Sequence, residues 1–238
     1  MIIAGLQKMT LLDFPGKVAC TVFLQGCNFR CPFCHNSGLL GAAGEPFLDE
    51  EALLSFLKSR KGLLDGVCVT GGEPTLQPGL PGLLAQIRAM GFAVKLDTNG
   101  SRPDILRSLA EAGLLDYVAM DVKNSPSRYA ETAGMAPALL PKIEESLKFL
   151  LSGSLDYELR TTMVAEFHDE ESMAEMGRWL TELVPGHPPK RLYLQRFADR
   201  DSVLRPGLHA PDPALMARCR EALLPYADFV ALRGMDEE

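Results

Sequence analysis

The chain repeats a simple pattern in which a short apolar run is followed by a longer stretch with helical periodicity. Most of the runs lack the alternation of apolar and polar residues that marks a strand exposed on one face. They therefore indicate parallel strands that are buried on both faces. The apolar runs cover 18–24, 67–70, 93–96, 117–120, 157–164 and 191–197.

Between these runs, apolar residues recur at intervals of three and four, which places them on one face of a helix. Gly91 and Gly153 are placed to end two of these helices, and Asp212 followed by Pro213 is typical of a helix start. The pattern predicts helices around 80–87, 143–151, 173–183 and 213–223, with weaker ones over 49–61 and 103–112.

The alternation of strands and helices predicts an α/β fold with right-handed crossovers and a parallel sheet. A closed barrel of this kind needs eight strand–helix units and typically ~250 residues. The chain supplies six units, so we expect an incomplete, partly open (β/α)6 barrel. We expect one domain over 1–238, with an N-terminal extension over 1–16 and a partial barrel over 17–238. The first fifteen residues are expected to form a small extra hairpin. Residues 229–233 could add a final edge strand.

Polar or glycine-rich segments lie at or near the ends of the predicted strands. Active sites of barrels are built where strands end, so we expect these segments to converge on one site. They are the cysteine loop at 27–34, Gly71-Gly72-Glu73-Pro74, Asp97-Thr98-Asn99-Gly100, Asp121-Val122-Lys123, Arg160, and Gln195-Arg196.

Composition narrows the class of protein. Hydrophobic residues make up 47% and charged residues 23% of the 238 positions, which are values of a globular chain. The formal net charge of −7 disfavours a nucleic-acid partner, because phosphate contacts need a surplus of Lys and Arg. The N-terminus lacks the features of a signal peptide, and charges interrupt every apolar run, so we expect no membrane partner and a cytoplasmic location.

Three of the six cysteines fall within eight residues, as Cys27, Cys31 and Cys34. Ordinary iron–sulfur clusters are held by four cysteines, so three leave one iron open, as a reactive metal site requires. A zinc site is an alternative on spacing alone, since His35 directly follows Cys34, although no second CxxC pair is present. An electron-carrying ferredoxin is disfavoured because no fourth cysteine has suitable spacing.

The remaining cysteines and histidines favour structural roles. Cys20 and Cys68 lie in apolar strands and Cys219 on a helical stripe, so we expect all three in the core. The histidines in loops rich in acidic residues or proline are expected at the surface, with His168 a weak site candidate because it follows a strand. They are His168, His187 and His209.

The segment from Cys27 to Asn36, CNFRCPFCHN, resembles the signature loop of radical S-adenosylmethionine (SAM) enzymes. In that family, three cysteines hold a [4Fe–4S] cluster and SAM chelates the open iron. The resemblance implies that Phe33 lies beside the adenine. The Gly71-Gly72-Glu73 run resembles the family's second motif, which binds the methionine amino group. Glycines permit close backbone approach and a carboxylate complements an ammonium.

The chain resembles more specifically the activating proteins of glycyl radical enzymes. The segments at 34–36, 97–100 and 121–123 are similar to the pyruvate formate-lyase activating enzymes. Those at 5–17 and 194–197 are more similar to anaerobic ribonucleoside-triphosphate reductase activating proteins. The resemblance covers essentially the whole chain.

This resemblance assigns roles to further residues. It places Asp97 and Asn99 near the ribose and methionine ends of SAM. It implies that Lys123 and Arg160 hold the methionine carboxylate. As in some activating enzymes, a monovalent cation is expected at Asp97, Thr98 and Asp121.

The implied activity is that of an anaerobic oxidoreductase. A reduced cluster passes one electron to SAM, and the resulting 5′-deoxyadenosyl radical takes a hydrogen atom from a glycine of a partner enzyme. No side chain need act as acid or base. The electron donor would be a flavodoxin or ferredoxin. Two alternatives stay open, namely a radical enzyme that acts on a small molecule, similar to 7-carboxy-7-deazaguanine synthase, and a non-catalytic iron–sulfur or zinc module.

Overall fold

A computed structural model describes residues 1–41, 45–153, 155–199 and 202–235. Its eight strands form one sheet in which the spatial order follows the chain. The strands are β1 (Ile3–Thr10), β2 (Ala19–Leu24), β3 (Gly66–Gly71), β4 (Ala93–Thr98), β5 (Tyr117–Asp121), β6 (Asp156–Met163), β7 (Leu192–Arg196) and β8 (Val230–Arg233).

The helices occupy the connections between the strands, as the apolar spacing predicts. They are α1 (Glu50–Ser59), α2 (Leu80–Ala89), α3 (Pro103–Glu111), α4 (Tyr129–Ala133), α5 (Leu140–Ser152), α6 (Glu170–Leu183) and α7 (Pro213–Leu223). Each of the six predicted helices is present. The short helix α4 was not predicted, because five residues carry too few turns to show a periodic stripe.

The central strands are parallel and buried, and this confirms the prediction of an α/β fold with an open parallel sheet. The pairs β2–β3, β3–β4, β6–β7 and β7–β8 are all parallel. In β3, every residue from Gly66 to Val69 is buried, which explains why the run shows no alternation. The order begins at β1 and ends at β8, so the sheet does not close on itself.

The N-terminal segment differs from the expectation of a separate hairpin. Its strand β1 pairs antiparallel with β2, the first strand of the predicted barrel, with Ile3 opposite Leu24 and Thr10 opposite Ala19. Ile3 is 1% exposed, so β1 adds to the core of the sheet. The final strand predicted at 229–233 is confirmed as β8, which pairs with β7.

Side-chain caps fix the start of several helices. The Asp49 carboxylate accepts a hydrogen bond from Ala52 N at 2.7 Å at the start of α1. Asp169 and Ser172 form a reciprocal capping box at the start of α6. Asp212 caps α7, and Pro213 occupies its first turn as predicted.

The chain divides into two compact units. The first unit consists of Met1–Asn28, Gly38–Thr98 and Asp104–Ala119, and its core includes Val22, Val69 and Leu84. The second unit consists of Phe29–Ser37, Asn99–Pro103 and the described part of Met120–Glu238. The expectation of a single domain over 1–238 stays a prediction.

Among the helices of the described segments, none combines the length and the apolar character needed to cross a bilayer.

Candidate functional site

In the first unit, the two glycines after β3 are required by the chain's own backbone. Gly71 has a φ of +125°, and a Cβ at this position would lie 2.2 Å from the Leu24 carbonyl oxygen. A Cβ on Gly72 would lie 2.1 Å from the Gly26 carbonyl oxygen. From the sequence, close approach of the backbone to the cofactor was the expected reason for these glycines. The structure gives a different reason, namely the packing of the Gly71–Gly72 turn against the segment that leads into the cysteine loop.

Backbone hydrogen bonds hold this turn in place. Gly72 N donates to Leu24 O at 2.8 Å, and Glu73 N donates to Gly26 O at 2.7 Å. Cys27, the first predicted cluster ligand, directly follows Gly26 and is partly exposed. The glycine motif therefore fixes the backbone beside this cysteine.

Glu73 is a buried carboxylate with a fixed orientation. It is 1% exposed, and its Oε1 accepts hydrogen bonds from Thr75 N at 3.1 Å and from the Thr75 hydroxyl. The Thr98 hydroxyl donates to the same oxygen at 2.8 Å. Two predicted site residues, Glu73 and Thr98, are thus in direct contact.

Asp97 lies in β4 next to a buried lysine that the sequence analysis did not consider. Lys95 is 1% exposed and forms an ion pair with Asp97 Oδ1. Cys68 Sγ lies 3.6 Å from the same Asp97 oxygen and 3.7 Å from Lys95 Nζ. Cys68 is buried as predicted, but its surroundings are polar. A lysine inside an otherwise apolar strand was the available signal, because a buried ammonium needs a partner.

In the second unit, the predicted residues Asn99 and Phe33 have clear local roles. The Asn99 side-chain oxygen accepts a hydrogen bond from Ser101 N at 2.9 Å, which shapes the loop after β4. The Phe33 ring is 4% exposed and packs against Phe167, with ring centroids 6.0 Å apart. Their predicted contacts with SAM remain proposals.

The cysteine loop of the second unit is fixed by the end of α4. Arg30 N donates to the carbonyl oxygens of Ala133 and Gly134 at 3.2 and 3.1 Å. Gly134 ends α4 with a φ of +57°, and a Cβ there would lie 2.2 Å from the Arg30 carbonyl oxygen. Cys31 is 7% exposed, and its Sγ lies 3.3 Å from Ala133 O. A helix about a hundred residues away in sequence therefore positions this loop.

The His35 side chain packs against the segment that follows β7. Its Nε2 lies 2.7 Å from the Ala198 carbonyl oxygen, and its ring stacks on Phe197 at 5.4 Å between centroids. The carbonyl engages Nε2 alone, and metal-binding histidines commonly donate their second ring nitrogen to a backbone carbonyl, so this contact leaves the zinc alternative open.

Asp121, Lys123 and Arg160 form one ion-pair network. Lys123 Nζ lies 2.8 Å from Asp121 Oδ2, and Arg160 Nε lies 3.0 Å from Asp121 Oδ1. Burial opposes ionisation of Asp121, but the two cations outweigh it and lower the pKa of this carboxyl to about 2. Burial likewise favours neutral Lys123, yet the pKa of Lys123 is raised, chiefly by Asp121 and then by Cys31.

The positive charge of Lys123 in this network affects the pKa of a cysteine in the same unit. Burial raises the pKa of the Cys34 thiol above its ordinary value, while the positive charges of Lys123 and Arg30 oppose that rise. Metal-bound cysteine is the deprotonated thiolate, which positive charge stabilises. The donor set of the second unit therefore fits an iron–sulfur cluster.

The cluster ligand set as a whole stays a prediction. Cys27 belongs to the first unit, whereas Cys31 and Cys34 belong to the second. Within the described ranges, no three His, Cys, Asp or Glu side chains group closely enough to hold a metal ion. The six cysteines all lie in the described segments, and none of them forms a disulfide.

The other cysteines and histidines mostly follow expectation. Cys20 and Cys219 are buried, and burial raises the pKa of each thiol to about 12, so both are inert core residues. His187 and His209 are exposed as predicted. The expectation of a surface position for His168 was wrong. This residue is 1% exposed, and its Nε2 lies 2.8 Å from Lys123 O.

Three known proteins of similar sequence cover much of the chain. A protein of Methanocaldococcus jannaschii, provisionally named a glycyl-radical enzyme activating enzyme, is 30% identical over 82% of this chain and 84% of its own. The pyruvate formate-lyase-activating enzyme of Clostridium pasteurianum is 34% identical over 51% of this chain and 52% of its own. The 7-carboxy-7-deazaguanine synthase of Thermococcus kodakarensis is 24% identical over 73% of each.

Solved structures share the fold at low sequence identity. A structure of TYW1 with a lysine-pyruvate adduct bound has a TM-score of 0.63 at 15% identity, over 92% of this chain and 76% of that one. Streptococcus suis SuiB bound to S-adenosylmethionine has a TM-score of 0.65 at 16% identity, over 90% of this chain and 52% of that one.

The sequence profile of the radical SAM superfamily matches residues 21–180. This span contains the cysteine loop and the motifs after β3, β4 and β5. Because the match covers more than half of the chain, the protein belongs to the radical SAM superfamily.

Proposed function

We propose that the protein is an activating enzyme for a glycyl radical enzyme, and that its partner is an anaerobic ribonucleotide reductase. In this proposal Cys27, Cys31 and Cys34 hold a [4Fe–4S] cluster, and SAM is cleaved reductively beside it. A flavodoxin or ferredoxin supplies the electron. The activating role is supported mainly by the similarity to the M. jannaschii relative, because that similarity extends over 82% of this chain and 84% of that protein.

When bound, the cluster and SAM together supply the radical chemistry, and the protein supplies binding, orientation and exclusion of water. Cys31 and Cys34 provide thiolates in a partly desolvated loop, and Lys123 provides a nearby positive charge that favours them. Glu73 provides a buried carboxylate of fixed orientation, which complements the ammonium group of SAM.

The network around Asp121 suits a carboxylate ligand. Two cations, Lys123 and Arg160, share the single negative charge of Asp121. Ammonium and guanidinium groups are the donors that complement a carboxylate, which supports the assignment of Lys123 and Arg160 to the methionine carboxylate of SAM.

A small-molecule radical enzyme is the second candidate function. It is supported by the T. kodakarensis 7-carboxy-7-deazaguanine synthase, which matches 73% of this chain at 24% identity. The two candidates share the cluster and SAM, and they differ in the group that loses the hydrogen atom.

The first test is SAM cleavage. The protein is reconstituted anaerobically with iron and sulfide, reduced with dithionite and mixed with SAM, and 5′-deoxyadenosine is measured by chromatography. A Cys31→Ala variant is the inactive comparison, and Cys219→Ala is the matched control, since Cys219 lies buried on α7. We expect product from the wild type and the Cys219 variant. A wild-type sample with about four irons per chain and no product would contradict the proposal.

The second test identifies the radical acceptor. The reduced, SAM-loaded protein is incubated with a purified anaerobic ribonucleotide reductase, and the reductase is examined by electron paramagnetic resonance. An activating enzyme gives a glycine-centred radical that is lost when the reductase glycine is replaced by alanine. Abundant deoxyadenosine without a radical on the reductase would refute this partner and favour the small-molecule candidate.

A further inference from the structure

Lys95 is an unusual residue for its position. It lies in the middle of β4, directly opposite Cys68 of the parallel strand β3. Its neighbours Val94 and Leu96 are fully buried, and Lys95 itself is 1% exposed. An ammonium group in such surroundings is unfavourable unless an anion compensates it. The charge at this position therefore requires an anionic partner close by.

That partner is Asp97. Residues two apart on a strand point to the same face, so the side chains of Lys95 and Asp97 meet, and they form an ion pair. Cys68 adds a second contact, since its thiol donates to the same carboxylate oxygen at 3.6 Å. The negative charge of Asp97 is thus neutralised by a residue of its own strand.

The Lys95–Asp97 ion pair affects whether a monovalent cation can bind at Asp97, Thr98 and Asp121, where the family resemblance places one. Such ions are held by oxygen ligands, and a carboxylate among these ligands attracts the ion only while its negative charge is not already balanced. At Asp97 the Lys95 ammonium already balances the carboxylate, and an alkali ion bound there would be repelled by it.

Asp121, the second aspartate of the expected cation site, is also already paired with cations of the protein. Both Asp121 oxygens are engaged by protein cations, Lys123 at 2.8 Å and Arg160 at 3.0 Å. Each aspartate expected to hold the cation therefore already has a counter-ion from the protein. The residues present do not fit a monovalent-cation site.

We infer that the Lys95 ammonium takes the place of a bound alkali cation beside Asp97, so that the protein binds SAM without any monovalent metal ion. An ammonium group and a potassium ion carry the same charge, but the lysine is covalently tethered and always present. Lys95 is thus a positioning residue that acts through Asp97. The inference rests on the proposed function, since it concerns the binding of SAM.

The test measures SAM affinity in different salts. The reconstituted protein is dialysed anaerobically against radiolabelled SAM in potassium, sodium or tetramethylammonium chloride at equal ionic strength. We expect the wild-type dissociation constants to agree within about twofold, because screening is the same in all three salts. Weaker wild-type binding in tetramethylammonium, restored by potassium or sodium, would overturn the inference.

A substitution extends the test. Lys95→Met leaves Asp97 without this counter-ion, so SAM binding in tetramethylammonium should weaken by at least ~10-fold. Potassium should restore most of it, because the vacated position then accepts the ion. The matched control is Lys58→Met, at an exposed position of α1, which should behave as the wild type. A folded Lys95→Met variant with wild-type affinity in every salt would overturn the inference.

A direct readout of ion binding accompanies the affinities. The ²³Na relaxation rate should rise in the presence of Lys95→Met protein, but not with the wild type. If Lys95→Met fails to fold, the wild-type comparison still decides the question. Failure of SAM to bind in any salt would instead refute the proposed function, and this inference with it.

Discussion

The Thr98 hydroxyl donates a hydrogen bond to Glu73 Oε1 at 2.8 Å, which joins the segment after β3 to the end of β4. Glu73 is predicted to bind the SAM ammonium group and Thr98 to belong to the cofactor site, and both are buried. The carboxylate that would receive the SAM ammonium is therefore held in place by a neighbouring site residue.

The Thr98→Val substitution tests this link. Valine has the shape of threonine but cannot donate, so Glu73 loses one charge-assisted hydrogen bond, a contribution of about 1.5–3 kcal/mol. We expect the free energy of unfolding to fall by about 1–2 kcal/mol and SAM affinity to fall by ~3–10-fold, with iron content unchanged. Urea denaturation and anaerobic dialysis measure these quantities.

Thr181→Val is the matched control, because the Thr181 hydroxyl donates to carbonyls of its own helix α6. It should leave SAM affinity at the wild-type value. Equal SAM affinity in the Thr98 and Thr181 variants would show that the Glu73 contact does not support binding.

The Gly72→Ala substitution tests the packing of the glycine motif. An added Cβ would lie 2.1 Å from the Gly26 carbonyl oxygen, so the backbone before Cys27 must shift. We expect a loss of more than about 3 kcal/mol in stability, within the range of severe single substitutions. Iron incorporation should fall with it. Thermal denaturation and iron analysis are the measurements.

Gly82→Ala provides the opposite case. Gly82 lies in α2, and an added Cβ there would meet no atom within 4 Å apart from its chain neighbours and the nearby backbone of its own helix. Alanine there should stabilise the protein by about 0.5–1 kcal/mol, as expected for an exposed helical position. If both alanine variants were equally stable, the steric explanation for Gly72 would be wrong.

The charge of Lys123 should affect the cluster. Its positive charge acts on both Cys31 and Cys34. Reduction adds negative charge to a cluster, so removing a nearby cation makes reduction less favourable. We expect Lys123→Met to lower the midpoint potential of the reconstituted cluster and Lys123→Arg to restore it in large part.

The potential is measured by redox titration with electron paramagnetic resonance detection. Lys148→Met, on the exposed side of α5, is the control for loss of one lysine and should leave the potential unchanged. A Lys123→Met potential equal to that of the wild type would place the cluster out of reach of this charge.

His168 should make the apo-protein sensitive to mild acid. Burial lowers the pKa of this imidazole from 6.5 to about 4. Between these two pH values the unfolded chain binds a proton that the folded chain excludes, so stability falls as the pH falls. The shift corresponds to about 3 kcal/mol, lost progressively between pH ~6.5 and ~4.

Urea denaturation of the apo-protein at several pH values measures this effect. His168→Gln removes the titrating group, so its stability should fall less steeply over the same window. His187→Gln, at an exposed site, should keep the wild-type slope. Identical slopes for His168→Gln and the wild type would contradict the assignment.

Much of the fold follows from local spacing along the chain. The apolar run at 67–70 became β3 because every residue of a strand buried on both faces must be apolar. The start of α7 followed from Asp212 and Pro213, since a cap and a fixed φ act within one turn. Contacts between distant segments were not accessible in this way.

The missed features show why. The contact of Lys95 with Cys68 depends on the register between β3 and β4, which no short window of sequence encodes. The need for glycine at 72 arises from Gly26, and the buried His168 ring contacts Lys123 O, which lies 45 residues away in sequence. The sequence motifs identified the predicted site residues. The residues that contact them are brought there by tertiary packing, which the motifs do not encode.

Gly134 illustrates how two separate demands can meet at one position. Its φ of +57° is one that asparagine also tolerates at the end of a helix. Its contact with the Arg30 carbonyl, however, leaves no space for any β-carbon. When related sequences are compared, a residue with a β-carbon at this position therefore indicates that the cysteine loop is held by other means. Glycine is compatible with the contact but is also the usual residue at such a helix end.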